Sequence, residues 1–62
     1  MNLNHKKIFI APHTPKSTML EKVLKETFVD IEILGFIDKE KVANNIFRIE
    51  NIAYKEFDFI LI

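Results

Sequence analysis

Cysteine is absent from this 62-residue chain, which excludes both a disulfide framework and a thiolate metal site. Glycine occurs once, at Gly35, so no loop can carry the closely spaced glycines that let a backbone wrap a phosphate. Charge of one sign is not in excess either. Nine basic and nine acidic residues give a formal net charge of zero, and the one basic doublet, Lys6-Lys7, is no track for a phosphate backbone. A nucleic-acid partner is therefore not expected. Long apolar runs are also missing at the N-terminus: Ile8-Phe9-Ile10-Ala11 is four residues long before Pro12 stops it, too short for a secretory or membrane-inserting segment. The expected compartment is the cytoplasm. No His, Asp or Glu spacing fits a metal site.

What is present is a small, strongly apolar chain. A hydrophobic content of 48% is too high for a disordered segment, and six Phe supply large buried areas. One domain over residues 1–62 is all the length allows, and such a domain buries only about 60% of its unfolded surface. Ile8 to Ala11 is a short continuous run of β-branched and aromatic residues, as expected for a strand buried on both faces of a parallel sheet. The loop Pro12-His13-Thr14-Pro15-Lys16-Ser17-Thr18 follows. Its prolines predict a helix that starts only at Thr18, with Glu21 completing a capping box, and runs to Phe28. Met19, Leu20, Val23, Leu24 and Phe28 recur at helical spacing as its inner face, and Glu21 and Lys25 are placed for an i,i+4 pair.

Ile31 to Ile37 reads as a second buried strand, broken by the charges of Asp38-Lys39-Glu40-Lys41. A short extended piece at Ile46-Phe47 and a second helix over Ile49 to Tyr54 are expected next, and Phe57 to Ile62 is a third strand. The alternation predicts an α/β domain: a three-stranded parallel β-α-β-α-β half-Rossmann sheet with strand order 3-2-1. On that order the edge of the first strand stays bare. The expectation is thus an N-terminal part of a larger protein whose C-terminal portion covers that edge, or self-association there.

Lys7-Ile8-Phe9-Ile10, the helix ending in Phe28, Glu32-Ile33-Leu34-Gly35-Phe36-Ile37-Asp38, Ile49-Glu50-Asn51-Ile52 and Phe57-Asp58-Phe59-Ile60-Leu61-Ile62 together resemble a recurring bacterial domain. It is the Rossmann-like domain at the N-terminus of nucleotide-sugar and surface-polysaccharide proteins: sugar acyltransferases of the PglD kind and NAD-dependent nucleotide-sugar dehydratases and epimerases. The resemblance spans most of the chain and is most specific at Gly35-Phe36-Ile37-Asp38. It implies a nucleotide-type ligand, a nucleotide sugar or NAD, held by a recognition domain that is not catalytic by itself.

Asp38 closes the second strand, where an acid in such folds accepts hydrogen bonds from ribose hydroxyls; its structural alternative is to cap the following turn. In the glycine-free loop an anion could still meet the first amides of the helix, the hydroxyls of Ser17 and Thr18 and the charge of Lys16. The alternative for both hydroxyls is capping. Lys16-Ser17 is not the end of a Walker A loop, because Pro15 stands where the second glycine is required. His13 follows the first strand and is the one candidate for a general base or a phosphate contact, without an identified acid or nucleophile beside it. Gly35 reads as a packing requirement, allowing close approach of a helix or neighbouring backbone. Catalytic residues are not identified. The competing function is a degenerate Rossmann-like module kept for protein interaction or oligomerisation without a ligand.

Overall fold

The structure is a computed structural model that describes residues 2–62. In chain order it contains β1 (Lys7–Ile10), α1 (Pro15–Thr27), β2 (Glu32–Ile37), β3 (Ile46–Phe47), a short 3₁₀ helix (Ile49–Ile52) and β4 (Phe59–Leu61). The four strands form one parallel sheet of order β3-β2-β1-β4.

The parallel α/β class expected from sequence holds, with a different strand count and order. The Ile46-Phe47 piece is a true strand: Phe36 N–H donates to Asn45 O at 2.8 Å and Asp38 N–H to Phe47 O at 2.9 Å. It takes the place beside β2 that order 3-2-1 assigns to the final strand. The final strand instead returns to the far side of β1, pairing Ile8 with Phe59 and Ile10 with Leu61. Asp58 fixes that pairing from both ends of one residue. Its N–H donates to Lys7 O at 2.7 Å, and its Oδ2 accepts from Lys7 N–H at 2.8 Å. The β1 edge predicted to be bare is therefore covered by the chain itself. On β3 the outward groups of Ile46 are met by Ala43, whose N–H donates to Ile46 O at 3.1 Å and whose O accepts from Ile46 N–H at 3.3 Å, so among the described residues β4 is the uncovered edge.

Central position explains the composition of β1. Ile8, Phe9 and Ile10 are all buried, because α1 covers one face and the segment around the 3₁₀ helix covers the other. On the α1 side Ile8 and Ile10 meet Leu3, Leu24, Phe36 and Ile46. On the opposite side Phe9 meets Ile37 and Ile52, and its ring makes edge-on contacts with Phe47 and Phe57 at 5.8 and 5.3 Å. Gly35 lies in a register irregularity between β1 and β2, with φ 154°. A Cβ there would meet the Phe47 ring at 2.6 Å and Asn45 O at 2.8 Å, so close backbone approach does require glycine.

The helix begins three residues earlier than Thr18. Thr14 is its N-cap and Pro15 occupies the first turn, where a missing N–H costs nothing. The capping box is Thr14 with Ser17: Ser17 N–H donates to Thr14 Oγ1 at 3.1 Å and Thr14 N–H to Ser17 Oγ at 2.8 Å. Ser17 and Leu24 are buried, whereas Met19, Leu20 and Val23 are exposed, contrary to the inner face assigned to them. The expected Glu21–Lys25 pair is present at 3.5 Å. The second helix is shorter than expected and of 3₁₀ type, with Ile52 buried and Tyr54 exposed.

Candidate functional site

A parallel sheet sends all its strands toward one edge, and the residues that follow the strands converge there. Ala11 and Pro12 follow β1, and Ile37 ends β2, with Asp38 and Lys39 next. Arg48 and Ile49 follow β3, and Ile62 follows β4. Together with Glu50 these residues line an open cleft of about 490 Å³. That volume is in the range of small-molecule sites. The cleft also spans the point where the chain, having run from β1 outward to β3, returns to the other side of β1 as β4. Such a reversal leaves a crevice at the carboxyl ends of the strands.

The lining divides by chemistry. Ala11, Pro12, Ile37, Ile49 and Ile62 present apolar surface, while Asp38, Lys39, Arg48 and Glu50 bring charge. Asp38 is half-buried, and its Oδ1 accepts from the N–H groups of Glu40 at 2.9 Å and Lys41 at 3.2 Å. The Glu40 amide first, then the Lys41 amide, hold the carboxyl below its ordinary range, with smaller help from the charges of Lys41 and His13. Asp38 thus caps the turn with one oxygen. No hydrogen bond among the described residues engages Oδ2.

The other four sequence candidates lie outside the cleft lining. Ser17 is buried and its hydroxyl is consumed by the cap, accepting from Thr14 N–H and donating to Thr14 O at 2.8 Å. Thr18 Oγ1 donates to Thr14 O at 3.2 Å. Lys16 is exposed in the first turn of α1. His13 packs its ring edge-on to Phe36 at 5.0 Å between centroids, and its Nδ1 is buried without a hydrogen-bond partner. The structure therefore brings together Asp38 with residues that sequence reading left unassigned, Arg48 above all. The signal for Arg48 was its position directly after the Ile46-Phe47 strand, which becomes informative only once that strand joins the sheet.

Among the described residues there is no group of three His, Asp or Glu side chains that could hold a metal ion. Within the same residues no helix is long and apolar enough to cross a membrane. No family model, curated protein or solved structure matches this chain.

Proposed function

We propose that the chain is a nucleotide or nucleotide-sugar binding module, non-catalytic by itself, of the kind its resemblance to bacterial surface-polysaccharide proteins implies. The observation that carries this reading is the cleft at the carboxyl edge of the sheet with Asp38 in its wall and one carboxylate oxygen unengaged. Two vicinal hydroxyls of a ribose or sugar are donors matched to that oxygen. The apolar lining from Ala11, Pro12, Ile37, Ile49 and Ile62 suits the flat face of a base or the apolar face of a sugar. Arg48 and Lys39 supply the positive charge a phosphate needs, in place of the glycine-rich loop that this chain lacks.

The test is an amide NMR titration of the chain with a uridine diphosphate sugar, repeated with NAD. Saturable shifts at Asp38, Lys39, Ile49 and Ile62 are expected, abolished by Asp38→Asn and weakened at least about tenfold by Arg48→Ala, since a charge-assisted contact is worth about 1.5–3 kcal/mol. A dispersed spectrum that neither ligand moves would refute ligand binding and leave the interaction module as the function.

A further inference from the structure

The lining of the cleft changes character in one direction across the sheet. Taken in the spatial order β4, β1, β2, β3, the residues that follow the strands are Ile62, then Ala11 and Pro12, then Asp38 and Lys39, then Arg48 with Ile49 and Glu50 next. Apolar surface gives way to a carboxylate and then to a guanidinium. Asp38 and Arg48 leave adjacent strands side by side, since Ile37 pairs with Phe47 and Asp38 N–H donates to Phe47 O at 2.9 Å. They nevertheless do not close on each other. Among the described residues neither joins an ion pair, and Asp38 turns Oδ1 to the Glu40 and Lys41 amides instead.

The start of α1, where a dinucleotide fold holds its pyrophosphate, is closed by its own cap. Pro15 has no N–H, Ser17 N–H donates to Thr14 Oγ1 at 3.1 Å, and Thr18 N–H donates to Thr14 O at 3.1 Å. Thr14 N–H is taken by Ser17 Oγ at 2.8 Å. At most the Lys16 amide is left for an anion, so a phosphate has its donors at the other end of the cleft.

We propose that the ligand is a mononucleotide laid across the strand ends, its base against Ile62, Ala11 and Pro12, its ribose hydroxyls on Asp38 and its phosphate on Arg48. This assignment rests on the nucleotide reading of the cleft and narrows it. Base, ribose and phosphate follow one another in the same order as the apolar surface, the acceptor and the planar cation of the lining. The three strand spacings from β4 to β3, of about 4.8 Å each, fit one mononucleotide and not two joined end to end. β3 is the outermost strand on its side, so a group joined to the far side of the phosphate passes beyond the sheet. Glu50 adds a carboxylate at that end, which disfavours a further phosphate.

Amide NMR titrations of the whole chain with two ligand series test this: uridine, UMP and a uridine diphosphate sugar, and adenosine, AMP and NAD. Within the series that binds, the mononucleotide and the extended ligand should agree in Kd within about threefold, because the added half meets no wall. Arg48→Ala should weaken the mononucleotide at least about tenfold and leave the nucleoside unchanged, while Lys16→Ala, outside the cleft lining, should change neither. Arg48 is exposed, so its variant should fold, and the wild-type shift map gives the phosphate position independently. Nucleotide binding that survives Arg48→Ala and moves the Lys16 and Ser17 amides would overturn the placement of the phosphate. NAD binding at least about tenfold tighter than AMP would overturn the mononucleotide class. Either result leaves the nucleotide reading standing, whereas a dispersed spectrum that no member of either series moves refutes that reading and this one with it.

Discussion

Asp38 joins a structural duty and the proposed ligand contact in one carboxylate, and both use its ionised form. Its amide partners lower the folded pKa, so the stabilisation it provides is fully present above the unfolded pKa, near 3.9, and is lost as pH falls through the lower folded value. A carbon-13 titration of the side-chain carboxyl should give a midpoint below 3.8, with the Glu40 and Lys41 amides moving over the same pH range. A midpoint at or above 3.8 would show that the turn is not formed in solution. Gly35 is the second residue whose identity is dictated by its surroundings. Gly35→Ala drives a methyl into Asn45 O and the Phe47 ring, at 2.8 and 2.6 Å, and is expected to cost about 1–3 kcal/mol of stability by overpacking, read from denaturant unfolding. The damage should appear first as loss of β3, since both clashing groups belong to that strand and the residue before it.

At the level of elements, α1 is held by its cap and by a narrow apolar face. Leu24 is the one large apolar side chain of the helix that is fully buried, while Met19 and Val23 are exposed. The box between Thr14 and Ser17 therefore carries much of what positions the helix start. Thr14→Ala should destabilise the protein by about 1 kcal/mol, and Thr18→Ala, whose hydroxyl only donates back to the Thr14 carbonyl, by markedly less. Thermal unfolding followed by circular dichroism gives both. A larger loss for Thr18→Ala than for Thr14→Ala would place the helix start at Thr18, as the sequence alone had suggested. That suggestion failed because two prolines look like helix breakers in a string of residues, whereas Pro15 at the first helical position has no hydrogen bond to lose.

For the whole molecule, the margin is small. A domain of 62 residues has a stability of about 3–9 kcal/mol, and Phe9 sits at the centre of one of its two cores, against Phe47 and Phe57. Phe9→Ala, at about 3–5 kcal/mol, should remove much of that margin, seen as a strongly lowered denaturant midpoint. Substitution of exposed Tyr54 by Ala should leave that midpoint nearly unchanged.

The residue pattern by itself determined the strand at Ile8 to Ile10, the strand ending at Ile37, the terminal strand, the parallel α/β class and the placing of Asp38 at a strand end. All of these follow from local periodicity and from where charge interrupts an apolar run. The tertiary structure alone decided which side of β1 the last strand takes. An apolar run is equally compatible with either neighbour, and the choice rests on the two-residue Ile46-Phe47 strand occupying the place beside β2 and on Asp58 clasping Lys7. That choice moved the bare edge from β1 to β4 and put Arg48 in one cleft with Asp38. Residues ten apart in sequence become neighbours only through the order of the strands that carry them.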